Sequence, residues 1–303
     1  MAIIDDIQRL KKENKAVILA HNYQRPDVQD IADYVGDSIE LSLRAKEERD
    51  ARIIVCASVD FMAESAAVLN PEKRVLLPCL GSRCSMVQML SAEQVRMWKR
   101  KYPGTPVVLY VNTLAEAKAE CDVCCTSANA VEVVGKVDSE TVLFGPDRNL
   151  AEFVGEKTGK KVIPIPSQGF CPTHVLFMKE DVMSQKESHG DAVVAAHPEC
   201  SKEVRDVADF VGSTSQICKY AKTSSAKKLI IGTEIGILHK LKKENPDKQF
   251  FPAYGGATCT AMKLVTLGRL HYSLKEEENL ITVPKSVARK ANAALERMFA
   301  LME

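Results

Sequence analysis

The chain alternates short, unbroken apolar runs with segments of helical periodicity. Three of the runs end directly in polar side chains: residues 16–20 in His21 and Tyr23, residues 106–111 in Asn112, and residues 191–196 in His197 and Glu199. An unbroken apolar run is typical of a parallel strand that is buried on both faces. The helical segments between the runs then supply the connections from one strand to the next.

This pattern occurs three times within the 303 residues. The fourth apolar run of each copy leads through a proline and a glycine-containing loop to a cysteine, and these cysteines, Cys84, Cys171 and Cys259, lie 87 and 88 residues apart. Strands that alternate with short helices predict parallel sheets joined by right-handed crossovers. We therefore predict an α/β fold of three homologous three-layer αβα domains, with parallel sheets arranged around a pseudo-threefold axis.

The repeat also sets the expected domain boundaries. Domain one covers residues 1–88, domain two 89–175 and domain three 176–263. Residues 264–303 follow as a C-terminal helical segment, with Pro284 near the start of its main helix, and we expect this segment to pack back on domain one. Because domains of this size bury a limited core, the three should stabilise one another across their interfaces.

Three equivalent thiols around one axis can meet on it. Cys84, Cys171 and Cys259 supply one ligand fewer than the four that usually hold an iron–sulfur cluster. A 4Fe-4S cluster held in this way keeps one iron open, and an open metal position allows Lewis-acid catalysis. A catalytic zinc ion with three protein ligands is the competing metal site, and three buried structural thiols are the alternative without a metal.

The chain contains ten cysteines, which is a high count for the cytoplasm, where disulfides are disfavoured and metal binding or catalysis is favoured. Cys121 and Cys124 form a CxxC pair without a second pair, so a structural role is the simpler interpretation. Cys79, Cys125 and Cys200 remain unassigned, although a thiolate from Cys79 or Cys200 would complete a four-ligand cluster.

Ligands of parallel α/β sheets bind beyond the carboxyl ends of the strands. The reactive side chains predicted at these ends, together with His174 just after Cys171, are His21, Tyr23, Ser38, Tyr110, Asn112, Ser127, His174, His197, Glu199, Ser213 and Thr214. The polar pairs Asp37-Ser38, Thr126-Ser127 and Ser213-Thr214 either cap helices or, acting together, hold anions at helix N-termini. His21, Tyr23, His197 and Glu199 are the candidates for acid–base catalysis.

Composition excludes several classes of partner. The formal net charge of +1 gives no electrostatic reason to expect nucleic acid or an anionic membrane. No apolar run approaches the length of a membrane span, and the first residues lack the basic start and apolar core of a signal peptide. We expect a cytoplasmic protein.

Seven segments together resemble the quinolinate synthase family over essentially the whole chain. They are AHNYQRPDVQDIADYVGDS at 20–38, YVNT at 110–113, TSANA at 126–130, GFCPTH at 169–174, HPEC at 197–200, VGSTSQI at 211–217 and CTAMK at 259–263. The resemblance implies three αβα domains around a pseudo-threefold axis and one central 4Fe-4S cluster, with Cys84, Cys171 and Cys259 as ligands and one open iron. It also implies substrate or catalytic roles for the eleven reactive residues named above.

The same resemblance implies a transferase of NAD biosynthesis that condenses iminoaspartate with dihydroxyacetone phosphate to quinolinate, phosphate and water. An aspartate oxidase or aspartate dehydrogenase would supply the iminoaspartate. Some family members carry CxxCxxC around the third ligand; Cys259 stands without it, so a redox disulfide at that place is not supported. The alternatives are an aconitase-like 4Fe-4S hydro-lyase and an iron–sulfur electron-transfer or redox protein.

Overall fold

The computed structural model describes residues 2–302. The first unit of the chain contains α1 (Ala2–Glu13), β1 (Ala16–His21), α2 (Pro26–Ile31), β2 (Tyr34–Gly36), α3 (Ser38–Glu47), β3 (Ile53–Ala57), α4 (Asp60–Leu69) and β4 (Arg74–Leu76). A short 3-10 helix, Ser85–Gln88, follows Cys84.

The second and third units repeat this order. The second contains α5 (Ala92–Lys101), β5 (Val107–Tyr110), α6 (Ala115–Lys118), β6 (Val123–Cys125), α7 (Ala130–Lys136), β7 (Thr141–Gly145), α8 (Arg148–Thr158) and β8 (Lys161–Pro164). The third contains α9 (Lys179–His189), β9 (Val193–Ala196), α10 (Lys202–Asp206), β10 (Phe210–Val211), α11 (Thr214–Thr223), β11 (Lys228–Gly232), α12 (Ile237–Glu244) and β12 (Gln249–Pro252). The chain ends with α13 (Thr260–Lys263), α14 (Leu267–Glu276) and α15 (Lys285–Ala300).

Each unit forms one four-stranded sheet in which all neighbouring strands are parallel. The strand orders are β2-β1-β3-β4, β6-β5-β7-β8 and β10-β9-β11-β12, so the same order of second, first, third and fourth strand occurs in all three. The predicted α/β fold with three parallel sheets is confirmed. The domain boundaries at residues 88, 175 and 263 stay a prediction.

The central strands show why the apolar runs are unbroken. All five residues of β3 are buried, with Ile54 and Cys56 in one apolar cluster and Ile53, Val55 and Ala57 in another on the opposite face of the sheet. Because a strand alternates its side chains between two faces, only a strand covered on both sides needs apolar residues at every position. Each large aliphatic side chain buried in this way stabilises the fold by about 1.5–3 kcal/mol.

The C-terminal segment contains two main helices with different neighbours. Helix α14 packs on α1 and β3 of the first unit, whereas α15 packs on α4 of the first unit and also on α6 and β6 of the second. Ala291, Leu295 and Met298 of α15 are buried in the largest apolar cluster, which the first two units share. Helix α15 therefore connects these two units. Within residues 2–302, every helix is too short or too polar to cross a lipid bilayer.

Candidate active site

The carboxyl ends of the three sheets open onto one cavity with an empty volume of about 630 Å³. His21 and Tyr110 are the last residues of β1 and β5, and His197 directly follows β9. The predicted site residues that line the cavity are His21, Tyr23, Ser38, Cys84, Tyr110, Asn112, Ser127, Cys171, His174, His197, Glu199, Thr214 and Cys259. All three units thus contribute reactive side chains to the same enclosed space.

Ser213 is the one predicted site residue that does not line this cavity. Its hydroxyl caps α11 by accepting from the backbone N–H of Gln216 at 3.3 Å, and it donates to the carboxylate of Asp37 at 3.1 Å. Asp37 in turn caps α3, because its carboxylate accepts from two backbone N–H groups of the first turn. Ser213 therefore connects the first and third units at the edge of the site. Side chains cap α3 and α11 as the capping interpretation expects, whereas the N-cap residue of α7 makes no side-chain capping bond.

The three cysteines occupy equivalent positions at the ends of their loops. Cys84 and Cys259 each precede a short helix directly, and Cys171 lies three residues before the 3-10 helix His174–Leu176. Burial raises the pKa of all three thiols above the ordinary value for cysteine. The side chains around them include Phe61, Met86 and Met262, which makes this part of the cavity apolar.

His21 and His197 have the same local geometry. The backbone N–H of Tyr23 donates to Nδ1 of His21 at 3.1 Å, and that of Glu199 donates to Nδ1 of His197 at 3.2 Å. Since Nδ1 accepts in both rings, the proton of each neutral imidazole lies on Nε2. Burial lowers the pKa of both histidines to about 3, so both rings are neutral donors at physiological pH.

Glu199 is 3% exposed and keeps its negative charge. Burial acts to raise its pKa, but the neighbouring imidazoles of His174 and His197 and the nearby hydroxyl of Tyr110 outweigh burial and lower the pKa overall. Its Oε2 lies 2.6 Å from Nδ1 of His174, whereas Oε1 is buried without a hydrogen-bond partner among the described residues. Glu199 thus presents one charged oxygen that is free to accept a proton.

Hydrogen bonds connect Tyr23 with His174, whose Nδ1 lies in contact with Glu199 and 3.1 Å from Sγ of Cys171. The Tyr23 hydroxyl lies 2.6 Å from Oγ1 of Thr233, which lies 2.8 Å from Nε2 of His174. If His174 donates from Nδ1 to the carboxylate, its Nε2 accepts from Thr233, and Thr233 accepts from Tyr23. Burial raises the pKa of Tyr23 well above its ordinary value, so Tyr23 holds its proton and can act as a donor.

The second unit contributes polar groups without a histidine. Asn112 lies two residues after β5 and is 9% exposed. Its Oδ1 is buried without a hydrogen-bond partner among the described residues. Burial and the adjacent charge of Glu199 raise the pKa of Tyr110 well above its usual range. Oγ of Ser127 lies 3.2 Å from Nε2 of His197 and joins this unit to the third.

The cysteines offer two overlapping sets of metal ligands. Cys84, Cys171 and Cys259 line the cavity together, and Cys171 also belongs to a set with His174 and Glu199 whose ligand atoms all lie within 4.8 Å of one another. Either set could hold a metal. Neither Cys79 nor Cys200 lines the cavity, and Sγ of Cys200 donates to the carbonyl of Gly232 at 3.3 Å. The fourth thiolate on which the electron-transfer alternative depended is therefore not at the site.

Comparison with known proteins gives one consistent family. The family model described as "Quinolinate synthetase A protein" matches residues 5–300. The quinolinate synthase of Pyrococcus horikoshii is 50% identical over 298 residues, which are 98% of this chain and 98% of its own. Those of Methanothermobacter thermautotrophicus and Thermotoga maritima are 50% and 49% identical, over 98% and 99% of this chain and 98% and 100% of theirs.

This chain belongs to the quinolinate synthetase A family. The resemblance stated from the sequence is thereby confirmed. The predicted site residues that line the cavity extend from His21 to Cys259 and all lie within the matched range.

For this member of the quinolinate synthetase A family, sequence reasoning missed several residues of the site. Thr233 connects Tyr23 to His174, and Phe61 and Met262 form part of the apolar wall of the cavity. One signal was available for Thr233, because it directly follows β11 and polar residues at strand ends point to ligands. The apolar wall had no comparable signal, since its side chains follow the same pattern as core residues.

Proposed function

We propose that this chain is an enzyme of NAD biosynthesis that condenses iminoaspartate with dihydroxyacetone phosphate to give quinolinate, phosphate and water. The observation that carries the proposal is the single cavity in which three units place three cysteines, an ionised carboxylate and a set of neutral donors. Membership of the quinolinate synthetase A family supports the choice of this reaction over a hydro-lyase that acts on one small hydroxy acid.

The cysteines fit a cluster with three protein ligands. Three half-buried cysteines from equivalent loops share one apolar-walled space, and the groups beside them are donors and a carboxylate, so the donor set is that of an iron–sulfur site. In this proposal Cys84, Cys171 and Cys259 hold one 4Fe-4S cluster on a pseudo-threefold axis of the three units. When bound, the cluster would supply a Lewis acid through its one open iron.

Both substrates are anions, yet none of the cavity-lining residues within 2–302 is a lysine or arginine. Binding must then come from hydrogen-bond donors and dipoles, as at other buried anion sites. Ser38 and Thr214 are the first residues of α3 and α11, and Ser127 precedes α7, so their hydroxyls stand at helix starts. The Nε2–H groups of His21 and His197 are further hydrogen-bond donors for these anions. We assign carboxylate and phosphate binding to these groups, with Tyr110 and Asn112.

The acid–base work then divides between charged and neutral groups. Glu199 is the proton acceptor, because its charge is retained and its Oε1 has no other partner among the described residues. His197 orients the substrate beside it as a neutral donor. Tyr23, with His21 next to it, donates a proton in an early isomerisation or dehydration, and Thr233 and His174 hold its hydroxyl in place. The near-complete burial of these side chains excludes bulk water from the reaction.

The setting of the reaction follows from its substrates. Iminoaspartate must be supplied by an oxidation of aspartate, so we propose an aspartate oxidase or aspartate dehydrogenase as the upstream enzyme, in the cytoplasm. A cell fractionation that found the chain outside the cytoplasm would contradict this location.

The direct test is quinolinate formation by anaerobically purified protein. The protein receives dihydroxyacetone phosphate and iminoaspartate that an aspartate dehydrogenase generates in the same vessel. We expect quinolinate, and we expect its formation to stop after exposure to oxygen or to an iron chelator. No quinolinate from protein shown to carry an intact cluster would overturn the proposal.

A cysteine substitution tests the ligands with a matched control. Cys84→Ala should abolish the visible absorbance of the cluster and quinolinate formation together. Cys79→Ala is the control, since Cys79 is half-buried like Cys84 and lies five residues earlier but does not line the cavity. We expect Cys79→Ala to keep both properties. A Cys84→Ala protein that retains cluster and activity would refute the ligand assignment.

A further inference from the structure

Each of the three cysteines is held by a carboxylate of its own unit. The backbone N–H of Cys84 donates to Asp60 at 3.1 Å, that of Cys171 to Asp147 at 2.9 Å, and that of Cys259 to Glu234 at 3.0 Å. Each carboxylate lies shortly after the third strand of its unit and precedes its cysteine by 24, 24 and 25 residues. The one glutamate, with its longer side chain, belongs to the unit with the longer interval.

The same segments are also joined in the opposite direction. The carbonyl two residues before each cysteine accepts a backbone N–H from the carboxylate residue or its successor: Ser82 from Asp60, Gly169 from Arg148, and Ala257 from Ile235, at 2.9, 2.9 and 3.1 Å. In the second unit the approach is so close that a Cβ on Gly169 would lie 1.8 Å from the carbonyl oxygen of Pro146. In each unit, two hydrogen bonds thus hold the cysteine loop. The N–H of the cysteine donates to the carboxylate, and a backbone N–H at or next to the carboxylate residue donates to a carbonyl of the loop.

We propose that Asp60, Asp147 and Glu234 are positioning residues that aim the three cysteine thiols into the cavity. This inference rests on the proposed function, since it concerns the cluster that the thiols would hold. A hydrogen bond to the N–H of a ligand residue fixes the backbone from which the thiol projects, and outer-shell groups of this kind support metal affinity.

The three carboxylates differ in the partners of their two oxygens. Asp147 is fully buried and uses both oxygens for backbone donors, Oδ1 for Leu150 at 2.8 Å and Oδ2 for Cys171 at 2.9 Å. Asp60 holds Cys84 with Oδ1 alone, and its Oδ2 accepts from the half-exposed Arg83 at 3.1 Å. The change from aspartate to asparagine therefore has different consequences at the two positions.

At Asp147 an amide must place its NH₂ group against one of two buried N–H donors, which leaves that donor without an acceptor. At Asp60 the amide oxygen can keep Cys84, and the NH₂ group faces only Arg83, which can turn into solvent. Asp147→Asn and Asp60→Asn are thus the same chemical change at equivalent places of the repeat. The first removes the support of a cysteine loop and the second leaves it in place.

A third variant separates positioning from helix capping. Asp147 also caps α8 through its bond to Leu150, so its loss could act on the helix alone. Asp147→Ser keeps a good N-cap residue but offers no second acceptor for the N–H of Cys171. A residue that merely capped α8 would tolerate this change.

The experiment measures the cluster and not the reaction. Four proteins are reconstituted anaerobically with iron and sulfide: the unchanged protein, Asp147→Asn, Asp147→Ser and Asp60→Asn. Three properties are then recorded for each. They are the iron and sulfide content per chain, the electron paramagnetic resonance spectrum of the reduced cluster, and the half-life of the cluster absorbance in the presence of EDTA. The melting temperature of each cluster-free protein is measured in parallel. We expect the half-life to fall about 10–100-fold in both Asp147 variants and by no more than about fivefold in Asp60→Asn. The cluster-free Asp147→Ser protein should melt close to the unchanged one.

An Asp147→Ser protein that keeps the half-life and spectrum of the unchanged protein would overturn the inference, as would equal effects of the two asparagine variants. If Asp147→Asn fails to fold, Asp147→Ser decides the question alone. Unchanged protein that takes up no cluster would overturn the proposed cluster together with this inference. Unchanged protein that holds its cluster and forms quinolinate, next to an unaffected Asp147→Ser, would overturn the positioning role alone.

Discussion

The strand ends of the first and third units share one backbone geometry but differ in the side chain that it presents. In each, a histidine accepts from the backbone N–H of the residue two positions later, at 3.1 Å in the first unit and 3.2 Å in the third. That later residue is Tyr23 in the first unit and Glu199 in the third. The repeat therefore fixes the histidine as a neutral Nε2–H donor twice, and only the neighbouring residue decides whether the unit contributes a phenol or a carboxylate.

This difference divides the proposed chemistry between the units. Glu199 retains its negative charge beside His174, whereas burial keeps the proton on Tyr23. Thr233 and His174 lie between the two groups, with hydrogen bonds from Tyr23 to His174 and a 2.6 Å contact from His174 to Glu199. One repeated arrangement of strand, histidine and turn can thus yield both a proton acceptor and a proton donor for the same cavity.

Removal of the charge in the third unit should have the largest effect. Glu199→Gln keeps the size of the side chain but cannot accept a proton, so we expect kcat for quinolinate formation to fall about 10²–10⁴-fold. The assay is the anaerobic one with enzymatically generated iminoaspartate, and iron and sulfide are measured in the same samples.

The matched control for Glu199→Gln is Glu203→Gln, which makes the same change on the exposed face of α10, four residues away. This variant should keep its kcat. A Glu199→Gln enzyme with a full cluster and a kcat close to that of the unchanged enzyme would remove Glu199 from the acid–base chemistry.

The comparison of these strand ends also marks how far the sequence could predict the site. The runs that end at His21 and His197 predicted both strands, and their equal place in the repeat predicted that the rings meet at one cavity. The tautomer of each ring was beyond prediction, because it depends on a backbone N–H that turns back to Nδ1. Thr233 shows the same limit, since its partners lie 210 and 59 residues away in the chain.

Ser213 shows where a repeat misleads. Its hydroxyl occupies the same kind of helix start as Ser38, yet it turns away from the cavity to Asp37 and to its own helix. A sequence pattern places a residue at a helix start but does not decide which of two nearby acceptors its hydroxyl finds. The carboxylates Asp60, Asp147 and Glu234 recur every 87 residues, so their equivalence was visible in the sequence, but their bonds to the cysteine loops were not.

Removal of the phenol in the first unit should have a smaller effect than removal of the carboxylate. Tyr23→Phe keeps the ring against His21 and deletes the hydroxyl that bonds to Thr233, so we expect kcat to fall about 100-fold, at the lower end of general acid–base effects. Tyr272→Phe on the exposed side of α14 is the control. An unchanged kcat in Tyr23→Phe would remove Tyr23 from the chemistry.

A double-mutant cycle with Thr233→Val sharpens this result. If Tyr23 acts through the chain to His174, the double variant should be little worse than Tyr23→Phe alone, because both changes break the same path. Effects on log kcat that add in full would show that the two residues act independently.

The smallest expected effect is on the pH dependence of stability. It concerns His21, one of the two histidines at these equivalent strand ends. Burial lowers the pKa of His21 to about 3 from the ordinary histidine value of 6.5. As pH falls below 6.5, the unfolded chain binds a proton that the folded chain does not, so the folded state loses about 1.4 kcal/mol per pH unit through this residue until pH 3. His21→Asn, which introduces the residue found at position 112 of the second unit, removes this loss. The free energy of unfolding of each cluster-free protein is measured with urea at pH 7 and at pH 5. Between pH 7 and pH 5, the stability of the variant relative to the unchanged chain should rise by about 2 kcal/mol. A difference that stays constant between these pH values would mean that His21 is protonated in the folded state and that its Nδ1 does not accept from Tyr23.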